Sequence, residues 1–497
     1  MRTMQFRSLA TWLLFTVPVL ARSAEGGVAV SPSAFVRAQA GSAVHWHAWN
    51  DATLAEARAA NRSVYVYIGS PLSELTRATI DQTFCSEKTV SWLNENFFCI
   101  FVDADAQSDL AAFAQHYIRS IKQLQGWPVH LWLTPELQPY DGANYLPPSE
   151  EWGKPGFLKA AHSALDNWTG NPARVRALAR EAIDLMRVPP LGAGPKIDIA
   201  AKCNAAASAW VATLDPVNGG FGSAPKEPEP ELIRFLLARG AAGRDAALNA
   251  ARALVRGAAH DPVDGGFYRR TIDEGWKEPY YQKTLADQAR IALALFDAAD
   301  AGKDDTLRAA AIGTLDFALT KLRYPDGTFA AALDGTLGEN SGVTGRPAFV
   351  RVGISTVVAQ SLLVVALQRS GDKRLATIAA QLAAGLPEPR TAAGYAAAAL
   401  AFRSLKDKGK AAHFLARGTE LFFDPATGRY MATPAILPPG IALRVPAIGD
   451  IPSPETLALL AGVDAGTAAL LRRALLAEVE YDEQPPGEVL LGLAATP

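Results

Sequence analysis

The feature that most constrains the fold is a turn motif that occurs four times between helical segments. The four copies are Asp215–Phe221, Asp261–Phe267, Tyr324–Phe329 and Asp424–Tyr430. Each copy contains a proline, at least one glycine and then an aromatic residue. Proline fixes φ for a turn, glycine permits the positive φ that often follows a helix, and the ring can anchor the loop. The first two prolines lie 46 residues apart and the last two 100, close to the lengths of one and two helical hairpins.

The segments around these turns are rich in alanine and leucine and have helical periodicity. They cover residues 197–214, 229–239, 243–259, 279–300, 304–323, 354–370, 373–384, 391–406, 410–421, 454–462 and 464–479. Paired helices joined by long loops predict an all-α (α/α) toroid over residues 197–497. Its long loops should gather on one rim.

Residues 44–168 have a different pattern, in which apolar strands alternate with helices. Helices are predicted at 51–61 and 107–123, and strands at 64–68, 97–102 and 129–134. This order predicts an α/β domain. Residues 169–196, a helix at 172–186 and then a Pro- and Gly-rich stretch, connect this domain to the toroid. The predicted fold class is therefore multidomain, with an α/β domain followed by an α/α toroid of helical hairpins.

The first 23 residues have the order of a secretory signal peptide. Arg2 and Arg7 precede an apolar run from Leu9 to Ala21, and small residues follow. The run is shorter than the ~20 residues of a spanning helix, which disfavours an uncleaved anchor. We expect a periplasmic or secreted protein with no stable membrane span after processing. A net charge of -2 gives no support for a nucleic-acid partner.

Only three cysteines are present, Cys85, Cys99 and Cys203, and none forms a CxxC motif. This count excludes a four-cysteine zinc site and a disulfide scaffold. The seven histidines are scattered, and there is no Walker phosphate loop, dinucleotide fingerprint or GxSxG elbow. We therefore predict no metal and no cofactor.

Short motifs in both domains are shared with one family. In the α/β domain they are Tyr67–Gly69, Leu93–Phe97, Gly126–Pro128, Leu133–Glu136 and Asn144–Pro147. In the toroid they are Gly219–Lys226, Gly265–Arg269, Asp273 with Trp276, and Pro452–Ser453. The sequence thereby resembles the spermatogenesis-associated protein 20 family, also called the DUF255 or YyaL-like family. The resemblance implies a thioredoxin-like domain followed by a toroid similar to N-acylglucosamine 2-epimerase and six-hairpin glycosidase scaffolds.

The first departure from the family lies where its members carry a CxxC motif. This chain has Ser73-Glu74-Leu75-Thr76 instead. A thiolate at a helix N-terminus can attack a disulfide, whereas an alcohol cannot. We therefore predict a degenerate redox site at Ser73, Thr76 and Pro128 without thiol–disulfide exchange. Ser73 and Thr76 would be helix caps or ligand contacts, and the turn before Pro128 would suit a cis peptide.

The second departure replaces the family's His-Phe-Glu-Lys segment by Tyr280-Tyr281-Gln282-Lys283, so that an imidazole and a carboxylate are lost. Lys283 would act as base or nucleophile, or would instead be capped by solvent or pair with Asp287 one turn later. The preceding loop either lines a pocket or packs over helix ends. Candidate catalytic residues are Lys283, Tyr280 and Asp273, and candidate substrate-binding residues are Arg269, Arg270, Trp276, Tyr281, Gln282 and Asp287.

Two functions fit these observations. The first is a redox-inactive binding protein or pseudoenzyme of the cell envelope, with a protein partner near Pro128 and a small ligand in the toroid. That ligand would be a saccharide, because aromatic faces suit pyranose rings and charged groups orient hydroxyls. The second is a carbohydrate-active enzyme, epimerase-like or glycosidase-like. Ionisable groups with shifted pKa values converging in one pocket would favour the enzyme, and an open rim of Tyr, Trp and Arg would favour binding.

Overall fold

The structure is a computed structural model that describes residues 27–192, 198–335, 347–447, 453–479, 482 and 484–495. The predicted signal peptide, the end of the predicted linker and Pro452 lie outside these ranges. Among the described helices, none is both long and apolar enough to cross a bilayer.

The N-terminal domain is built on a five-stranded sheet with the order β1-β3-β2-β4-β5. Its strands are β1 Trp46–Ala48, β2 Val64–Gly69, β3 Phe98–Asp103, β4 Val129–Leu133 and β5 Pro139–Ala143. The first three run parallel to one another, and β4 pairs antiparallel with both β2 and β5. Every residue of β2 and β3 is buried, because apolar clusters cover both faces of the sheet.

Seven helices surround this sheet. They are α1 Ala34–Arg37, α2 Asp51–Ala60, α3 Glu74–Ala78, α4 Glu87–Asn96, α5 Ser108–Lys122, α6 Phe157–Gly170 and α7 Pro172–Leu185. The predicted helices at 51–61 and 107–123 are confirmed as α2 and α5, and the three predicted strands as β2, β3 and β4. The Trp127–Pro128 peptide is cis, as the preceding turn suggested.

Within its described residues, the second domain forms a closed ring of six helical hairpins. Its inner helices are α9 Pro230–Leu237, α11 Leu285–Gly302, α13 Val357–Arg369, α15 Ala392–Ser404, α17 Pro454–Ala461 and α19 Gly487–Ala494. Each inner helix packs on the next, and α19 packs on α9 to close the ring. The outer helices are α8 Ile199–Val211, α10 Gly240–Arg256, α12 Asp305–Lys321, α14 Lys373–Ala384, α16 Lys408–Phe422 and α18 Ala465–Val479. The predicted α/α toroid is confirmed.

Alanine makes this close packing of helices feasible. In α15 most residues are buried on all sides, since the helix contacts α13, α16 and α17. Small side chains let three helices approach such a segment without voids. Helix α19 was not predicted, because Gly487 and Gly492 lower the helix propensity of its short sequence.

The four repeated turns all lie on one rim of the toroid. Each follows an outer helix and precedes an inner one, so the loops gather where the inner helices begin. Short strands order these loops: β6 Gln282–Thr284, β7 Ala332–Asp334 and β8 Val350–Val352 form one antiparallel sheet, and β9 Phe423–Asp424 pairs with β10 Arg429–Tyr430. The prediction that a helix begins at 279 is wrong, because β6 occupies that stretch and α11 begins only after the cap Thr284.

Candidate functional site

The first two repeated loops are each held by one buried lysine. Lys226 Nζ lies 2.6 Å from Asp215 Oδ2 and 2.9 Å from the carbonyl oxygen of Gly219, under the ring of Trp276. The lysine is wholly buried. Because Asp215 also accepts bonds from the amides of its own turn, its pKa lies well below the usual range. The lysine therefore fastens the loop to the ring of helices.

Lys283 makes the same contacts in the second loop. Its Nζ lies 2.6 Å from Asp261 Oδ2 and 2.7 Å from the carbonyl oxygen of Gly265, and it sits over the rings of Tyr268 and Phe317. The expected alternative pairing with Asp287 is wrong, since Asp287 lies 3.6 Å from Arg290 instead. The correspondence with Lys226 gives Lys283 a loop-fastening role. Its catalytic role stays a prediction.

Trp276 does not present a face for stacking on a ligand. Only 4% of its surface is exposed, and its Nε1 donates to the carbonyl oxygen of Gly219. A Cβ added at Gly220 would lie 2.7 Å from the indole ring, and one added at Gly257 would lie 2.4 Å from the Cβ of Trp276. The expectation that Trp276 stacks on a sugar is therefore wrong in this structure, because the loop uses the ring as its own core.

Asp273 also serves its own loop. Its carboxylate accepts hydrogen bonds from the amides of Gly275, Lys277 and Glu278 at 2.7 to 3.0 Å. Burial opposes ionisation of this carboxyl, but the three amides outweigh burial and lower its pKa. A carboxylate held ionised in this way is a poor proton donor near neutral pH.

The tyrosines and arginines of the loop contact protein groups. The Arg270 guanidinium lies over the ring of Tyr280 and 3.5 Å from Glu227. Tyr281 packs edge-on against Tyr268 and Phe349. These side chains are partly exposed, so a ligand could still reach them.

The two departures from the family meet in one contact between the domains. Gln282 Nε2 donates to the carbonyl oxygen of Leu72 at 3.2 Å and to Asp334 Oδ2 at 2.8 Å. Arg77 lies 3.5 Å from the same carboxylate. Burial raises the pKa of Tyr280, and its hydrogen bond with Glu74 raises it further. The loop that carries CxxC in the family is thus docked on the toroid through the residues that replace the imidazole and the carboxylate.

The degenerate redox site shows no feature of a reactive thiol site. Ser73 caps α3 by accepting from the amide of Thr76, and Thr76 is fully buried. Ser73 is therefore a helix cap, as predicted. Thr76 is not a cap, and its buried hydroxyl oxygen has no hydrogen-bond partner within the described residues. Burial raises the pKa of Cys99 to about 12 and also raises the pKa of Cys203, while Cys85 is exposed on the surface. Desolvation of this kind makes a thiolate harder to form.

A group of charged residues lies near the contact between Leu72 and Gln282. The sequence analysis singled out only one of its members, Asp287. The run Glu227-Pro228-Glu229-Pro230-Glu231 leads into α9, and Glu231 makes two 2.6 Å bonds to Arg290 of α11. Burial raises the pKa of Glu229 to about 7, and the neighbouring carboxylates of Glu227 and Glu231 add to the shift. Glu229 also has a positive φ of 49°. The signal available in the sequence was the alternation of Glu and Pro directly after Lys226.

Asp287 belongs to this charged group. Its Oδ2 atom is buried without a hydrogen-bond partner in the described part of the chain. Burial raises the pKa values of both Glu227 and Glu488, which lies in the first turn of α19. Three carboxyl groups whose pKa values are raised by burial thus converge near the N-termini of α9 and α19, and the pKa of one of them, Glu229, lies near neutral pH.

A large cavity lies between the two domains, at the rim of the toroid that carries the repeated turns. Its volume is about 1930 Å³. The N-terminal domain contributes residues 30–37, the end of β3, one face of α5 and Trp127, and the toroid contributes the starts of α13 and α15. Gln115 fixes the position of Trp127, since its amide group bonds both backbone groups of Gly126. The cavity therefore has a preformed aromatic wall.

Residues 27–187 match the family Thioredox_DsbH, described as "Protein of unknown function, DUF255". Spermatogenesis-associated protein 20 of Mus musculus is 27% identical over 305 residues, which cover 59% of this chain and 38% of the mouse protein. An uncharacterised Caenorhabditis elegans protein is 24% identical over 313 residues, covering 61% and 43%. The chain spans about two fifths of the length of these curated relatives.

Two solved structures also resemble the chain. A sugar epimerase from a ruminal bacterium has a TM-score of 0.43 at 13% identity, covering 57% of this chain and 87% of its own. Cellobiose 2-epimerase from Bacillus thermoamylovorans B4167 has a TM-score of 0.44 at 12% identity, covering 60% and 98%. The N-terminal domain is thus similar to the DUF255 family and is thioredoxin-like, as the sequence motifs predicted.

Proposed function

We propose that this protein is a redox-inactive binding protein of the cell envelope whose thioredoxin-like domain covers one rim of the toroid. The observation that carries the proposal is the contact of Leu72 with Gln282, together with the cavity beside it. In a thiol oxidoreductase the loop after β2 must be open to a disulfide substrate. Here that loop carries hydroxyls and is docked on the second domain, which supports a structural use of the thioredoxin fold.

The ligand that suits the cavity is a saccharide. Aromatic faces from Trp127 and Tyr324 line it, and Asp105, Glu388 and Arg390 supply hydrogen-bonding groups of both signs. Flat rings pack against the apolar faces of pyranoses, while charged groups orient the hydroxyls. A volume of about 1930 Å³ exceeds the ~300–1,000 Å³ of common small-molecule sites, so several sugar rings would fit.

The test is a thermal-shift screen of the mature protein against mono- and oligosaccharides. A ligand that binds only the native state raises the melting temperature. We expect a shift with an oligosaccharide that Trp127→Ala reduces or removes. Trp152→Ala is the matched control, because Trp152 lies in the same domain, is 72% exposed and does not line the cavity. Absence of any shift, or equal losses in both variants, would contradict the proposal.

The cell-envelope location rests on the signal-like N-terminus alone. Fractionation of the native host should place the processed protein outside the cytoplasm, and a cytoplasmic full-length protein would refute this part. The protein partner near Pro128 likewise stays a prediction.

The charged group around Glu229 favours a second candidate, a carbohydrate-active enzyme. A carboxyl group with a pKa of about 7 can donate and accept protons at physiological pH. Incubation of the protein with the saccharides of the screen, followed by chromatography, would detect isomerised or hydrolysed products. Glu229→Gln should abolish such turnover while leaving binding in place. If no saccharide is converted, the binding-protein proposal stands alone.

A further inference from the structure

The toroid presents an uncharged surface to the cavity between the domains. Three inner helices, α11, α13 and α15, reach the cavity with their first turns. Of the described residues that they contribute, none is charged or polar. Together with the isoleucine before α13 they form what we call the apolar wall, which consists of Ala286, Ile354, Val357, Val358, Ala393 and Gly394.

The hydroxyl groups beside the apolar wall already serve the toroid. Thr356 and Thr391 each accept a hydrogen bond from a backbone amide, as the caps of α13 and α15. Ser355 is buried, and its hydroxyl oxygen accepts a bond from Gln360. A sugar hydroxyl placed against this wall would exchange water for aliphatic contacts, and burying a hydroxyl without a partner is unfavourable. The wall therefore suits a hydrocarbon better than it suits a sugar.

Two large aliphatic side chains that line the cavity are mostly exposed. Ile354 of the apolar wall exposes 57% of its surface, and Val30 of the N-terminal domain exposes 62%. Single exposed aliphatic residues are common on protein surfaces, but these two lie in one cavity. Contact with a hydrocarbon would remove their apolar surface from water, which is favourable in proportion to the area covered.

The charged groups that the toroid contributes to the cavity lie outside the apolar wall. Glu388 and Arg390 belong to the loop before α15, and Asp326 belongs to the third repeated turn; all three are exposed. These groups, with the ring of Trp127, complement the hydroxyls and ring faces of a saccharide, whereas an uncharged chain complements the apolar wall. A volume of about 1930 Å³ leaves room for both parts of such a ligand.

We propose that the cavity binds a glycolipid, a saccharide that carries a hydrocarbon chain, and that the chain lies against the apolar wall. This inference rests on the proposed function, because it takes the saccharide of that proposal as the polar half of the ligand. It adds an apolar half, which a plain oligosaccharide does not have. The affinity of the cavity should then depend on the chain and on the sugar together.

The experiment is a calorimetric titration of the mature protein with maltose, maltotriose and the hexyl, octyl and decyl β-maltosides, each below its micelle concentration. We expect the affinity to rise with the length of the chain. Each added methylene should tighten binding by up to about fourfold, which corresponds to ~0.8 kcal/mol for one buried CH₂ group. Maltose and maltotriose should bind more weakly than decyl maltoside.

A substitution in the apolar wall separates the chain from the sugar. Ile354→Asn should weaken the binding of decyl maltoside about tenfold and leave the binding of maltotriose unchanged, because only the chain contacts this residue. Ile272→Asn is the matched control. Ile272 is also 57% exposed, but it is not among the described residues that line the cavity, so this variant should bind every ligand as the parent does.

The outcomes separate this inference from the proposed function. If no alkyl maltoside binds more tightly than maltose, or if both isoleucine variants bind decyl maltoside equally, this inference is overturned, and the saccharide screen still decides the proposed function. If decylphosphocholine, which has the same chain without a sugar, binds as tightly as decyl maltoside, the saccharide is overturned and the proposed function fails with it.

Two other occupants of the apolar wall would also overturn the glycolipid. Displacement of decyl maltoside by carboxymethylated lactalbumin, an unfolded polypeptide, would assign the wall to a protein segment. A parent protein that is dimeric in sedimentation and becomes monomeric with Ile354→Asn would assign the wall to a second copy of the chain. We expect neither result.

Discussion

Lys283→Met should destabilise the toroid strongly, because it removes the cation that faces the buried carboxylate of Asp261. Both side chains are almost fully buried, and the Nζ to Oδ2 distance is 2.6 Å. Removing one partner of such a pair costs roughly 3–5 kcal/mol. The loss also frees the carbonyl oxygen of Gly265, so the loop that leads to β6 would lose its anchor.

The urea unfolding midpoint, followed by tryptophan fluorescence, measures this effect. Lys226→Met should lower the unfolding midpoint in the same way, because Lys226 makes the corresponding bonds to Asp215 and Gly219. Lys321→Met is the matched control: Lys321 pairs with Asp264 in the same region, but half of its side chain is exposed. An exposed pair contributes about 0–1 kcal/mol. The double substitution of Lys283→Met with Asp261→Leu should recover part of the loss, because it also removes the buried carboxylate.

The result that would refute this reasoning is a Lys283→Met protein with the parent's unfolding midpoint and an abolished activity or ligand response. Lys283 would then be functional, as the candidate catalytic set predicted.

The pH dependence of stability gives a second check. Burial opposes ionisation of Asp261, but its bond with Lys283 lowers the pKa overall. Its stabilising contribution should therefore be complete above the unfolded pKa of about 3.9 and should disappear as the pH falls through the lower folded value.

Four further outcomes follow from the same structure. The parent protein should not reduce insulin, and Ser73→Cys with Thr76→Cys should gain at most weak activity, because the loop stays docked; strong activity in the parent would contradict this. Trp276→Ala should lower the free energy of unfolding by roughly 3–5 kcal/mol, as expected for a buried ring, and a folded variant that loses only saccharide binding would restore the stacking interpretation. The raised pKa of Glu229 means that its carboxylate costs stability as the pH rises from about 4 through about 7, so Glu229→Gln should stabilise the protein at pH 8 and not at pH 4 in thermal melts. Gln282→Glu should loosen the contact between the domains and make the 70–77 loop more sensitive to limited proteolysis, and an unchanged cleavage pattern would oppose that expectation.

The sequence was sufficient for the architecture because periodicity and turn chemistry are local signals. The helices of the toroid follow from the spacing of alanine and leucine, and the single rim follows from the repeated proline–glycine–aromatic turns. Several inner helices also begin at a Ser or Thr cap, such as Thr284, Thr356 and Thr391. All three strands of the loop sheet were missed, because three residues between two loops carry no usable period.

The site was harder to predict, since residue type does not reveal whether a side chain faces a ligand or its own loop. Trp276 and Lys283 have the chemistry of a sugar site, but both make hydrogen bonds to the repeated turns instead. The repeated Asp-Pro-Val turn was visible in the sequence, but Lys226 follows its aspartate by 11 residues and Lys283 by 22, so the shared anchoring is evident only in the fold. In contrast, the convergence of Glu229 with Glu488 depends on ring closure, which brings together residues far apart in the chain.

Gln282 shows why the two departures from the family belong together physically. Its Nε2 donates to two acceptors, the Leu72 carbonyl oxygen and Asp334, while its Oε1 accepts from Arg269 at 3.2 Å. An ionised glutamate at this position could donate to neither acceptor and would repel the fully buried Asp334. An amide is thus the group that lets the loop of Leu72 close on the toroid, and the closed loop needs no thiol. The exchange of carboxylate for amide therefore stabilises the contact between the domains, while the hydroxyl of Ser73 caps α3 next to it.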